Sequence, residues 1–224
     1  MEGDAAHHLG RVLRAQPGQL YELSDGQQVR LGRIEKVARD RVDFALLEDV
    51  PAHEPAVHIT LLLSIVKFDA FEWAIGKATE LGVSAIVPLA AARSEKALLA
   101  AAAKRAERWK KILAESSQQS RRIRIPALHN LSQPAPAFSA SADASLKVML
   151  SERPDAPTLR KVVPAESVLP QAVLAIGPEG GWTDSEFAAA QASAFREASL
   201  GKLILRTETA VAAALASLNY ALGD

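Results

Sequence analysis

The chain has 224 residues, enough for one sizeable domain or two small ones, and 49% of them are hydrophobic. A packed core can therefore form, and wholesale disorder is excluded. It carries 26 basic and 26 acidic residues and no cysteine, which argues against a nonspecific nucleic-acid binder and excludes disulfide frameworks, cysteine zinc sites and thiol catalysis.

Residues 1–14 are polar and carry both charge signs, unlike a signal peptide, and the longest apolar runs, such as 59–66, are too short to cross a bilayer. A soluble cytoplasmic protein is expected. Residues 12–13, 19–23, 29–37 and 41–47 alternate apolar and polar side chains, with turn signals at Pro17-Gly18, Asp25-Gly26 and Arg39-Asp40 between them. This predicts short antiparallel strands in a small barrel or sandwich. Residues 51–55, bounded by Pro51 and Pro55, read as a linker.

The pattern then changes. Residues 57–66 are a continuous apolar run, as in a strand buried on both faces. Residues 69–81 place Phe71, Ile75, Ala78 and Leu81 on one helical face, with Gly82 as the stop. A second strand over 83–89, a long alanine-rich helix over 98–119, a loop over 133–143 and buried strands over 146–150 and 172–176 follow. Strands alternating with helices predict a parallel sheet covered on both sides. Over residues 93–124 ten Lys or Arg face three acids. Such a run is either a solvated helix face or a phosphate-contacting surface.

Two segments carry the strongest chemical signal. Gly177-Pro178-Glu179-Gly180-Gly181 follows a buried strand, and Thr183 and Glu186 have capping-box spacing for the helix after it. Glycines let backbone approach a ligand, and ligands in open α/β sheets sit beyond the carboxyl ends of the strands. The spacing fits neither a dinucleotide fingerprint nor a phosphate-binding loop, and an ordinary strand-to-helix turn would look similar. The second segment is Leu200-Gly201-Lys202-Leu203-Ile204-Leu205-Arg206-Thr207-Glu208-Thr209-Ala210, before an alanine-rich helix over 211–222. Arg206 and Glu208 read either as functional groups or as an ion pair beside the helix dipole. The alanines suit close helix packing within or between subunits.

Together, in this order, these segments resemble the signatures of the bacterial 16S rRNA uracil-N3 methyltransferase family, in the SPOUT superfamily of knotted methyltransferases. His7-His8-Leu9-Gly10-Arg11-Val12-Leu13-Arg14, Lys77-Ala78-Thr79-Glu80-Leu81-Gly82-Val83 and Arg108-Trp109 extend the resemblance along nearly the whole chain. It implies a small PUA-like β-barrel for RNA binding over residues 1–53, then a parallel α/β SPOUT domain with a C-terminal trefoil knot over 56–224. It further implies a homodimer that methylates 16S rRNA within the small ribosomal subunit, using S-adenosylmethionine and no metal or membrane. The methyl-donor site is expected at Leu150, Gly177, Pro178, Glu179, Gly180, Gly181, Leu200, Gly201, Leu205, Arg206, Thr209 and Ala210. Arg206 and Glu208 are the expected catalytic pair, and His8, Arg11, Arg14, Lys67, Arg93 and Arg122 the expected RNA contacts. The chain departs from the family in two places. It begins almost at the His-His motif, so the barrel is expected to lack its first strand, and Lys67-Phe68-Asp69-Ala70 lacks that loop's glycine and second base. Another RNA target, such as a tRNA ribose 2′-oxygen, and a noncatalytic RNA-binding role are the competing readings.

Overall fold

The computed structural model describes residues 1–26, 28–51, 57–164 and 170–222. They form two compact units, Met1–Glu54 and Pro55–Asp224. The linker expected over 51–55 lies almost entirely outside the described residues.

The first unit opens with helix α1 (Gly3–His7) and a π-helical turn over His8–Val12. Strands β1 (Leu20–Ser24), β2 (Val29–Val37) and β3 (Val42–Val50) then make an antiparallel sheet in the order β1-β2-β3. Ala6, Leu9, Ala15, Ile34 and Val42 form its core, flanked by Tyr21, Val37 and Phe44. The chain start adds a short ladder to β3, with the Val42 amide donating to Met1 O and the Gly3 amide to Asp40 O. The strand expected at residues 12–13 is absent: Val12 and Leu13 are exposed, and burial of Ala6 and Leu9 fixes a helical start instead.

The second unit alternates strands and helices: β4 (His58–Ser64), α2 (Phe68–Glu80), β5 (Ala85–Leu89), α3 (Lys96–Ala102), α4 (Ala106–Gln119), β6 (Ala127–Leu128), α5 (Pro134–Ser139), β7 (Leu146–Leu150), α6 (Leu159–Val162), β8 (Gln171–Ile176), α7 (Asp184–Ala192), β9 (Arg196–Ala198) and α8 (Thr207–Leu222). Its six strands run parallel in the order β6-β5-β4-β8-β7-β9. The pleat divides the core. Leu61, Leu63, Val148 and Leu174 pack on α2, α4 and α8 through Phe71, Ile75, Trp109, Val211 and Leu215. Leu62, Met149, Val173 and Ala175 pack on the opposite layer with Phe138, Trp182, Ala190 and Phe195. The central strands β4 and β8 are therefore apolar on both faces, which is why their sequences do not alternate.

Two elements differ from expectation. The helix expected over 98–119 is broken by a 3-10 turn at Ala103–Arg105. There Arg105 stacks on Phe68 (4.6 Å) and, with Arg108, reaches the largely buried Glu72 carboxylate (3.4 and 2.7 Å). Within the expected loop over 133–143, α5 forms because Pro134 sits in its first turn, where no amide is needed, and Phe138 is fully buried. Among the described residues, no helix is long and apolar enough to cross a membrane.

Candidate functional site

The carboxyl ends of β7 and β8 and the start of α8 meet at one place. After β8 the chain turns at once, and a Cβ on Gly177 would crowd the Trp182 indole, whose ring atoms lie 3.0 and 3.1 Å from that position. The indole is buried and donates from Nε1 to Leu150 O (2.9 Å), which ties the glycine loop to the end of β7. Thr207, the first residue of α8, donates from Oγ1 to Gly177 O (3.2 Å) and ties the same loop to the C-terminal helix. Gly181 adopts φ +69°, a left-handed conformation that glycine alone takes without strain, and its amide closes a turn onto Pro178 O. The loop thus has both flanks fixed by hydrogen bonds to its neighbours.

Helix α7 anchors the other side. Thr183 and Glu186 form a complete capping box. The Glu186 carboxylate accepts the Thr183 amide on Oε2 and the Ala92 amide on Oε1, both at 2.8 Å, so one buried side chain holds the helix start and the loop after β5 together. Beside it the Arg93 guanidinium donates to Gly180 O (2.7 Å), and a Cβ on Gly180 would lie 3.2 Å from the Arg93 side chain.

These contacts frame a cavity of about 500 Å³. Of the residues expected to hold a methyl donor, Leu150, Gly177, Pro178, Glu179, Gly181, Leu200, Gly201, Leu205, Arg206 and Ala210 line it. Gly180 reaches it through Arg93, while Thr209 points elsewhere on α8 and is exposed. Arg206 lies in the wall, its side chain exposed and without a hydrogen bond or ion pair among the described residues. Glu208 does not line the cavity, and no ion pair joins it to Arg206 among those residues.

The expected RNA contacts are scattered. Arg93 lines the cavity, and Lys67 is exposed at the start of α2. Arg122 is committed elsewhere: its Nη1 donates to Thr79 O (2.7 Å) at the end of α2, and burial lowers its pKa below the ordinary arginine value. In the first unit His8, Arg11 and Arg14 are exposed, with Arg14 at φ +50°. Sequence reasoning missed Trp182, Thr207 and the group Glu152, Arg153, Asp184 and Phe187, all in the cavity wall. The signal for Glu152 and Arg153 was their place just past a buried strand, where ligands of parallel sheets sit.

A family model described as an RNA methyltransferase domain matches residues 53–219, and one described as an RNA methyltransferase PUA domain matches residues 2–47. The chain belongs to the RNA methyltransferase family. Among relatives in that family, the ribosomal RNA small subunit methyltransferase E of Synechocystis sp. is 35% identical, the match covering 95% of this chain and 70% of that protein. The Bacillus subtilis enzyme of the same name is 30% identical over 97% of this chain and 88% of its own. Among solved structures, the Neisseria gonorrhoeae ribosomal RNA small subunit methyltransferase E, bound to S-adenosyl methionine, superposes with a TM-score of 0.90 at 31% identity, covering 100% of this chain and 92% of that one. A Legionella pneumophila methyltransferase in complex with the cofactor SAM gives 0.87 at 32% identity, with the same coverage. The parallel sheet and the small antiparallel sheet before it are thus the fold of a methyltransferase with an N-terminal PUA-like domain.

Proposed function

We propose that this chain is an S-adenosylmethionine-dependent methyltransferase of the small ribosomal subunit that places a methyl group on N3 of a uridine in 16S rRNA. The observation that carries this reading is the cavity itself, closed by the glycine loop after β8 and the loop before α8 and locked by the Thr207–Gly177 hydrogen bond. Its volume suits a ligand of nucleoside size. The bare backbone at Gly177, Gly181 and Gly201 and the apolar wall of Leu150, Leu200 and Leu205 fit the donor's adenosine part. When bound, the donor supplies an electrophilic methyl group on a sulfonium.

The protein's own task is to place the acceptor in line and to make its nitrogen nucleophilic. Uracil N3 keeps its proton at neutral pH, and the uracil anion formed when that proton passes to water carries charge on the two carbonyl oxygens. A fixed cation at the cavity wall stabilises that charge, and Arg206, unpaired there, is the side chain we assign to it. Glu208, in the first turn of α8, complements the positive end of the helix. The reading includes a C-terminal trefoil knot, action in the cytoplasm and a homodimer. Leu203 and Ile204, 82% and 80% exposed in the cavity wall, support a partner subunit covering the site.

The test is calorimetric titration with S-adenosylmethionine, with Gly180→Arg as the control that should abolish binding, followed by label transfer to 16S rRNA and, in parallel, to tRNA. Saturable binding and label in 16S rRNA are expected. Arg206→Ala should slow transfer roughly 100-fold or more, the scale of a lost oxyanion donor. A loss just as large in Glu208→Ala would place Glu208 in the chemistry as well.

A further inference from the structure

Arg153, just past the end of β7, is held in an unusual way for a side chain in a cavity wall. Its guanidinium carbon lies 3.6 Å from the centroid of the Phe187 ring, and its Nη2 donates to Asp184 Oδ1 at 2.8 Å. Phe187 and Asp184 both belong to α7, whose start is fixed by its capping box. The stack sets the plane of the guanidinium and the ion pair sets its rotation within that plane. All three residues line the cavity.

This arrangement does little for the fold. The Asp184 side chain is fully exposed and that of Arg153 is 43% exposed, and exposed ion pairs of this kind contribute little stability. Solvent also screens Asp184, so it orients the guanidinium without cancelling its attraction for a second anion. Arginine has five N–H donors. One is used by Asp184, which leaves an oriented fork at the rim of the cavity, and such a fork matches two oxygens of a phosphate or carboxylate.

We infer that Arg153 is an oxyanion clamp at the mouth of the cavity, taking either a phosphate of the substrate RNA or the carboxylate of the methyl donor. The inference rests on the methyltransferase reading above. The two sources share one chemistry and differ in which ligand carries it. Phe187 and Asp184 are positioning residues, acting through Arg153.

The experiment compares the wild-type chain with Arg153→Ala and Phe187→Leu. Affinities are measured for S-adenosylmethionine, for methylthioadenosine, which lacks the amino-acid part, and for 16S rRNA across a salt series. If the clamp holds a phosphate, Arg153→Ala weakens RNA binding about tenfold and reduces the magnitude of the negative slope of log K against log salt by about one, with donor affinity unchanged. If it holds the carboxylate, the donor weakens about tenfold while methylthioadenosine does not, since methylthioadenosine has no carboxylate for the clamp to hold. Phe187→Leu keeps the charge and should show the same pattern at a smaller fold-change. Wild-type affinities and an unchanged salt slope in Arg153→Ala overturn the clamp alone. Failure of the wild-type chain to bind S-adenosylmethionine would overturn the methyltransferase reading and the clamp with it.

Discussion

Gly177→Ala probes how tightly the site is built. The new methyl would stand 3.0 Å from Trp182 Cε2 and 3.1 Å from Nε1, inside ordinary carbon contact distance by several tenths of an ångström. The indole has little freedom to yield. It is 5% exposed, packs edge-on against Phe138 with centroids 6.0 Å apart, and is anchored by its hydrogen bond to Leu150 O. Either the glycine loop moves outward or that bond stretches. Overpacking of this kind costs about 1–3 kcal/mol, and losing a buried hydrogen bond falls in the same range. The thermal midpoint should drop by roughly 2–12 °C for a domain of this size. Affinity for S-adenosylmethionine should fall as well, since Gly177 forms part of the cavity wall. A double-mutant cycle isolates the clash: in a Trp182→Leu background, Gly177→Ala should cost less by about 1 kcal/mol or more. Calorimetric titration and thermal melts of the four proteins provide the data. A Gly177→Ala protein with wild-type midpoint and affinity would refute the claim that the indole dictates glycine there.

Three further outcomes follow from single contacts. Glu186→Ala strips the acceptor from the Thr183 and Ala92 amides at once and should cost about 2–3 kcal/mol in urea melts, whereas Glu186→Gln, which keeps one acceptor oxygen, should cost about half of that. Arg122→Met leaves Thr79 O without its donor and should lower stability by about 1–3 kcal/mol, with 16S rRNA affinity nearly unchanged; a large loss of RNA binding in a stable variant would return Arg122 to the RNA surface. In the homodimer we propose, Leu203→Asp combined with Ile204→Asp should shift sedimentation from dimer to monomer while the isolated subunit stays folded, because both side chains are already solvent-exposed within one chain.

Legibility in the sequence followed the size of the signal. The mostly apolar run over 57–66 announced β4, and the alternation over 29–37 announced β2, because burial on two faces or one writes directly into residue order. The break between α3 and α4 left no local mark. An alanine-rich stretch favours helix throughout, and the turn coincides with Arg105 engaging Glu72 and Phe68, which are distant in sequence. For α5 the reverse held: two prolines and two serines among alanines looked like loop, and the anchor was one phenylalanine whose burial only the assembled sheet provides. The short strands β6 and β9 were invisible, since three residues or fewer carry no period.

At the site, the glycine loop was legible because its backbone demands are local, whereas the relation of Arg206 to Glu208 was not. As neighbours at i and i+2 they would share a face in an extended strand, which is how a strand-to-helix junction invites them to be read as a pair. The helix expected over 211–222 begins four residues earlier. Arg206 O already accepts the Ala210 amide, and α8 starts at Thr207. On a helix, residues two apart lie on different faces. Thr207 and Ala210, three apart, both face the cavity, and Glu208 between them does not. Arg206 therefore meets the cavity with its charge uncompensated by the carboxylate beside it in sequence, the state a cation needs in order to stabilise an incoming anion. A shift of four residues in where the helix starts thus separates a neutral ion pair from a free guanidinium, and single-sequence boundaries are uncertain by about 2–4 residues.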